Sequence, residues 1–279
     1  MKRNIVIVLI LIVVAAFVYN AFRGGSDGNK GDTPDDTGAA TDPAASGTAR
    51  INYTVSGAYP HDVTSFTEGL SFYKGELWES TGENGKSWLL QVDPATGARK
   101  KAVKLDEKFF GEGMVILRDT IYQLTYKEKT VLVYDAKTLQ LIKSLPLQQP
   151  EGWGLTTDGT NLIASDGSSN LYYYEPGTFR LLRTQGVTEN NMPVSMINEL
   201  EYIDGVIYAN VWQTNDIVKI DATSGQITGR MDLTQLAVRA KAKNPNADVL
   251  NGIAYNPETK KFYVTGKNWP ELYELSFAL

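Results

Sequence analysis

The stretch GMVILRDTIYQLTYKEKTVLVYDAKTLQLIKSL, residues 113–145, decides the fold of this chain because it reads as four short strands in succession. Apolar or alternating runs at residues 113–117, 120–125, 130–134 and 139–145 are separated by short polar turns. Four such strands joined by tight turns predict one antiparallel sheet in which each strand pairs with the next.

The same pattern recurs five times between residues 51 and 279. The units are marked by positions 69, 113, 154, 200 and 252, with spacings of 44, 41, 46 and 52 residues. Repeats of this size predict an all-β fold, a five-bladed β-propeller of four-stranded antiparallel blades. The fifth unit supplies only three strands, so we expect the N-terminal strand, about residues 51–58, to join the last blade and close the ring.

The N-terminal region differs in composition from the repeats. Lys2 and Arg3 precede an apolar run, so residues 1–22 are expected to be a signal peptide or an N-terminal membrane anchor. Residues 23–50 are rich in Gly, Asp, Thr, Ala and Pro, which predicts a disordered linker. The predicted catalytic propeller spans residues 51–279. We expect it in the periplasm or outside the cell, either free or tethered through residues 5–22.

Composition excludes several functional classes. The chain has no cysteine, which removes disulfides, thiolate metal sites and a cysteine nucleophile. Its single histidine, His61, rules out a multi-histidine zinc site and argues against Ser-His-Asp catalysis. A net charge of −5 without a basic stretch argues against nucleic acid as a partner. We therefore expect neither a metal nor another cofactor in the site, and we expect a monomer.

The repeat architecture predicts where a site would lie. In a propeller the inner strand of every blade starts at one face, and the loop between the second and third strands reaches that same face. We expect one mouth to collect the residues at these places, namely Glu68, Glu112, Glu151, Trp153, Asn198, Asn251, Lys127, Trp212, Lys267, Asn268 and Trp269. Carboxylates, amides and indoles at one mouth predict a small polar pocket with aromatic walls. Each residue also has an ordinary structural alternative, such as a glutamate that binds backbone N–H groups around the channel.

At these residues the chain resembles the glutamine cyclotransferases of the plant and bacterial type. The resemblance covers residues 51–279 and rests on nine motifs in order. These are FTEGL (66–70), ESTG (79–82), FGEG (110–113), EGWGL (151–155), SDGS (165–168), NELE (198–201), ANVW (209–212), NGIA (251–254) and TGKNWP (265–270).

The resemblance implies a metal-free acyltransferase that converts the N-terminal glutamine of a peptide into pyroglutamate and releases ammonia. It implies that the catalytic acid is Glu112, and we expect Asn198 or Lys267 to stabilise the developing oxyanion. It places the substrate pocket at Phe66, Glu68, Phe110, Trp153 and Trp212. The family often carries Gln where this chain has Glu68, and we expect a carboxylate there to pair with the substrate ammonium.

Two other functional classes stay open from the residues alone. A propeller can be a non-catalytic binding module at the cell surface, since the fold hosts many functions. Carboxylates beside indoles also suit a hydrolase or lyase that acts on sugars. Release of ammonia from a Gln-initiated peptide separates both classes from a cyclotransferase.

Overall fold

The computed structural model describes residues 48–279, so the predicted export segment and most of the predicted linker lie outside the described residues. The described chain contains 23 strands and one α-helix. It begins with β1 (Ala49–Arg50) and β2 (Thr54–Pro60). Between residues 48 and 279, no helix is long and apolar enough to cross a membrane.

The remaining strands follow one another blade by blade. Blade 1 contains β3 to β6, which are Thr67–Tyr73, Glu76–Thr81, Trp88–Val92 and Arg99–Lys104. Blade 2 contains β7 to β10, which are Gly111–Leu117, Thr120–Thr125, Thr130–Asp135 and Leu141–Pro146. Blade 3 contains β11 to β14, which are Leu155–Thr157, Leu162–Ala164, Asn170–Glu175 and Arg180–Gly186.

Two short strands form a hairpin before blade 4, β15 (Thr188–Glu189) and β16 (Met192–Pro193). Blade 4 contains β17 to β20, which are Ile197–Ile203, Val206–Val211, Asp216–Asp221 and Ile227–Asp232. Blade 5 contains β21 to β23, which are Leu250–Asn256, Lys261–Gly266 and Glu271–Ser276. The strands of each blade are antiparallel neighbours in chain order, which confirms the predicted all-β five-bladed propeller.

The N-terminal strand completes the last blade. Strand β2 pairs antiparallel with β23, from Thr54 opposite Ser276 to Pro60 opposite Glu271. The pairing starts three residues later than predicted, because β1 first lies parallel to β20 in blade 4. The last residues of the predicted linker therefore join a sheet, and the chain crosses to blade 5 at residues 51–53.

The hydrophobic core is divided among the five interfaces between adjacent blades, one apolar cluster at each. Consecutive residues of one strand serve different clusters, because side chains alternate across a sheet. On β8, Ile121 packs in the cluster between blades 1 and 2, whereas Tyr122 packs in the cluster between blades 2 and 3. Because the clusters alternate with the sheets around the ring, each blade is buried on both faces.

One helix, α1 (Thr234–Lys243), lies in the connection between blades 4 and 5 and was not predicted. It buries Leu236 and Ala240 in the cluster shared by these blades, and its last turn carries Lys241 and Lys243. Positively charged lysines in the last turn stabilise the helix, because they lie at the negative end of its dipole. This insertion accounts for the spacing of 52 residues, the longest of the four.

Four of the inner strands are irregular at the same place. In blades 1, 2, 4 and 5 the register between the first and second strands shifts just before an apolar residue, at Leu70, Met114, Leu200 and Ile253. Such a bulge re-aims a side chain and leaves backbone groups without partners in the ladder. In blades 1, 2 and 4 the residue two positions before this apolar residue lies at the mouth of the channel, as Glu68, Glu112 and Asn198.

Candidate active site

A cleft of about 390 Å³ opens at the mouth predicted from the repeats. All eight residues assigned above to catalysis or to the substrate pocket line it, together with four others that the sequence reasoning did not select. The full set is Phe66, Glu68, Phe110, Glu112, Tyr126, Trp153, Asn198, Trp212, Gln213, Asp248, Val249 and Lys267. Starts of inner strands and loops between second and third strands supply most of the lining, as the repeat pattern predicts.

Three ionisable groups meet at the floor of the cleft. Lys267 Nζ lies 2.7 Å from Glu68 Oε1, and both side chains are less than a tenth exposed. The Glu112 carboxyl lies beside Glu68 and is also buried, at 5% exposure. The Lys267 ammonium contacts Glu68 alone, and the two adjacent carboxyl groups cannot both ionise cheaply out of water.

Burial raises the pKa of Glu112 well above its ordinary value, and the neighbouring charge of Glu68 raises it further. Burial also raises the pKa of Glu68, although the ammonium of Lys267 opposes this rise. Glu68 is the carboxyl in contact with the cation, so it ionises first. Glu112 therefore keeps its proton to higher pH than Glu68 and can give it up as a carboxylic acid.

Aromatic rings form one wall of the cleft. The rings of Phe66 and Phe110 meet edge to face with their centroids 6.3 Å apart, and Tyr126 lies 5.6 Å beyond Phe110. Lys267 Nζ lies 4.5 Å from the centre of the Phe66 ring, a favourable cation–π contact. Gly82 makes room for this wall, because a Cβ atom there would lie 2.4 Å from the Phe110 ring.

Two indoles form the opposite wall. Trp153 and Trp212 meet edge to face at 5.5 Å, and Trp153 Nε1 donates to Glu151 Oε2 at 3.0 Å. Gly167 has a positive φ of 78°, and a Cβ atom there would lie 2.6 Å from the Trp153 ring. Both tryptophans are half-buried, so part of each indole can contact a ligand.

Asn198 has free hydrogen-bonding capacity in the cleft. Its side chain is 3% exposed, and within residues 48–279 its amide oxygen has no hydrogen-bond partner. Five other residues expected at the mouth do not line the cleft: Asn251, Lys127, Glu151, Asn268 and Trp269. Asn251 is fully buried beneath Glu68 and donates to Thr67 O, whereas Lys127 lies at the rim 3.2 Å from Glu151.

Comparison with known proteins settles the family. A model of the glutamine cyclotransferase family matches residues 34–277. The chain belongs to the glutamine cyclotransferase family. It is 38% identical to a glutaminyl-peptide cyclotransferase of Arabidopsis thaliana over 219 residues, which are 78% of this chain and 68% of that protein. It also matches the crystal structure of Myxococcus xanthus glutaminyl cyclase, with a TM-score of 0.77 and 34% identity over 82% of this chain and 98% of that chain.

Four lining residues of this glutamine cyclotransferase family member were missed. Tyr126 and Gln213 belong to loops between second and third strands, so the repeat rule that selected Trp212 would have found them. Asp248 and Val249 follow α1 in the long connection to blade 5, where no repeat position exists. Their place depends on the path of that insertion, which has no signal in the repeat pattern.

Two glutamates below the cleft bind backbone N–H groups around the channel, which is the ordinary structural role considered above. Glu199 accepts backbone N–H groups of Leu70 and Ile253, at 3.1 and 2.8 Å, and thereby links inner strands of three blades. Glu201 accepts the N–H of Tyr255 at 2.8 Å. Burial raises the pKa of Glu201 to about 8. In this family member the channel glutamates therefore join blades, whereas Glu68 and Glu112 face the cleft.

Proposed function

We propose that this protein is a glutaminyl-peptide cyclotransferase, an aminoacyltransferase that converts an N-terminal glutamine into pyroglutamate with release of ammonia. The observation that carries the proposal is the buried Glu112 carboxyl, whose pKa burial raises, beside the Glu68–Lys267 ion pair at the floor of an aromatic cleft. The names of the similar Arabidopsis and Myxococcus proteins support it.

The cleft suits a folded glutamine side chain. For ring closure, the α-nitrogen must reach the carbon of the γ-amide within the same residue. The indoles of Trp153 and Trp212 form one flat wall and Phe66 with Phe110 the other, so they can hold the short chain in its cyclic conformation. Asn198 lines the cleft, and its side-chain N–H can donate to the γ-carbonyl oxygen and stabilise the negative charge that develops there.

The charges on the floor favour the neutral form of the substrate amine. Lys267 already neutralises Glu68, so the carboxylate expected to bind the substrate ammonium is occupied. Glu112 is uncharged and offers no ion pair. The α-amine of the substrate, whose pKa is about 8 in water, can therefore bind in the cleft in its neutral form.

Glu112 serves both proton transfers. The α-nitrogen forms a bond with the γ-carbonyl carbon, Glu112 gives its proton to the amide nitrogen, and the carbon–nitrogen bond breaks as ammonia leaves. The Glu112 carboxylate then takes the extra proton from the ring nitrogen, which restores the acid. General acid–base catalysis of this kind contributes about 10²- to 10⁴-fold. We propose that no metal takes part, since the only histidine, His61, is bound to Glu79 and to Trp269 O.

The test is ammonia release from a Gln-initiated peptide by wild type, Glu112→Gln and Glu201→Gln. Glu112→Gln keeps the shape of the side chain but cannot shuttle a proton, so we expect a loss of about 10²-fold or more in kcat. Glu201→Gln is the matched control, because it also replaces a buried channel glutamate but lies outside the cleft. Near-normal release by Glu112→Gln would refute the assignment. Loss of release in EDTA would refute the metal-free mechanism, and no release by wild type would favour a binding module.

We further propose that the protein is exported and works as a monomer, with residues 1–22 as signal or anchor and a linker that runs from residue 23 up to strand β1. The charged start and apolar run of residues 1–22 support export. Cell fractionation, followed by N-terminal sequencing of the mature protein, tests both the location and the cleavage. Recovery of the uncleaved protein in the cytoplasm would contradict export, and sedimentation as a dimer would contradict the monomer.

A further inference from the structure

Two buried serines occupy the same position in different blades. In blade 1, Ser80 follows Glu79, the ladder partner of Leu70; in blade 3, Ser165 follows Ala164, the partner of Leu155. Their exposures are 0% and 1%. Neither side chain lines the cleft.

Each serine reaches the inner strand of the following blade. Ser80 Oγ donates to the backbone carbonyl of Glu112 at 2.5 Å, and Ser165 Oγ donates to the backbone carbonyl of Asn198 at 2.7 Å. These carbonyls belong to the bulged segments, because neither residue has a partner in the ladder with its own second strand. The hydroxyl from the preceding blade therefore replaces the ladder bond that each bulge removes.

The two hydroxyls are themselves held in place. Gln123 Nε2 donates to Ser80 Oγ at 2.7 Å, and the N–H of Gly154 donates to Ser165 Oγ at 2.8 Å. Because each serine oxygen already accepts one hydrogen bond, its own O–H donates to the backbone carbonyl of the next blade. The position of each bulge is thus fixed by a short chain of hydrogen bonds between blades.

The other three blades lack this device. The corresponding residues are Leu124, Asn210 and Thr265. Leu124 has no hydroxyl, Thr265 donates within its own blade to Glu271 O at 3.0 Å, and Asn210 accepts from Gly252 N. A serine therefore precedes only the two mouth residues to which acid catalysis and oxyanion stabilisation are assigned above.

We propose that Ser80 and Ser165 are positioning residues that aim Glu112 and Asn198 into the cleft. This inference rests on the proposed function. Ser80 orients a titrating group and Ser165 a non-titrating one, so their loss has different signatures. A displacement of a catalytic group by about 1 Å costs on the order of 10²-fold in rate.

The experiment compares Ser80→Ala and Ser165→Ala with Thr156→Val as the matched control. Thr156 also makes a buried hydroxyl bond between blades, accepting Tyr202 N at 3.1 Å, but on a part of the strand away from the cleft. We expect kcat to fall about 10- to 100-fold in both serine variants with KM little changed. The alkaline limb of the kcat–pH profile should move in Ser80→Ala and stay in Ser165→Ala. Thr156→Val should retain the wild-type profile.

A second measurement needs no turnover. Carbon-13 NMR titration of the Glu112 carboxyl should give a changed pKa in Ser80→Ala, and the Asn198 side-chain amide resonance should move in Ser165→Ala. Ser80→Thr and Ser165→Thr keep the hydroxyl and should restore both signals. Unchanged resonances in the alanine variants, or an equal loss of kcat in Thr156→Val, would overturn the inference. If wild type released no ammonia, the proposed function would fail while these resonances still decided the positioning.

Discussion

Replacing Glu68 by glutamine tests the charge arrangement at the floor of the cleft. The glutamine carbonyl can still accept a hydrogen bond from Lys267 Nζ, which now lies 2.7 Å from Glu68 Oε1. The negative charge beside Glu112 disappears, and the Lys267 ammonium keeps Glu112 as its only carboxylate neighbour on the floor. Both changes favour ionisation of Glu112, so its pKa should fall.

Coulomb's law sets the size of the effect. A unit charge removed at about 4 Å changes the energy of ionisation by about 4 kcal/mol at an effective dielectric constant of about 20. Since one pKa unit corresponds to about 1.4 kcal/mol, the pKa of Glu112 should fall far enough in Glu68→Gln to be seen in a pH profile. Glu112 acts from its protonated form, so the alkaline limb of activity should move to lower pH.

The assay measures kcat for ammonia release from about pH 6 to about pH 10, a range that also covers the titration of the substrate amine. Wild type, Glu68→Gln and Glu201→Gln are measured with one Gln-initiated peptide, because the substrate amine then contributes the same acid limb to all three. Glu201→Gln should keep the wild-type alkaline limb. An alkaline limb in Glu68→Gln that coincides with that of wild type, or lies above it, would refute the proposed ionisation of the pair.

Three further predictions concern stability. Glu201→Gln should remove the pH dependence of stability that this buried acid gives the wild type. The pKa of Glu201 is about 8 in the folded protein and about 4.3 in the unfolded chain. Its stabilising contribution is therefore fully present below the unfolded pKa and is lost as the pH rises through the folded pKa. Urea unfolding at pH 4 and 9 should show the wild type losing up to about 5 kcal/mol relative to the variant, and parallel curves would contradict this. His61→Ala strands the buried carboxylate of Glu79, 3.1 Å from the ring, and should cost about 3 kcal/mol or more in the same assay; a smaller loss would show that the pair is dispensable. Gly154→Ala places a Cβ atom 2.0 Å from a carbonyl of the next blade and should lower the urea midpoint, whereas Gly177→Ala, with nothing within 4 Å, should not.

Much of the cleft followed from the repeats because position in the repeat dictates position in space. Glu112 and Asn198 hold the same place in blades 2 and 4, so knowing the fold was enough to bring them to one mouth. The alignment erred by one residue in blade 4, where Glu199 stands at the position that is glycine in the other blades. Glu199 is consequently a link between blades that the sequence reasoning overlooked.

Features that depend on side-chain conformation or on insertions were beyond the repeat pattern. The ion pair between Glu68 and Lys267 joins residues that are 199 positions apart in the sequence. The repeat positions do not predict which charged side chains pair with each other. Asp248 reaches the rim only because α1 redirects the connection before blade 5. The bonds from Ser80 and Ser165 required the register shifts of the inner strands, which no residue type marks.

The pairing of β2 with β23 has a consequence for how the chain is made. Thr54 lies opposite Ser276, so β2 cannot find its partner strand until the ribosome has synthesised the chain as far as residue 276. Closing a loop of this length costs conformational entropy before any contact repays it, so ring closure is expected to be the late and slow step of folding. Until then the edge of β23 stays open and the interface between blades 5 and 1 is unsupported. Because every blade contributes residues to the cleft, a nascent chain or one truncated at the C-terminus has an incomplete site.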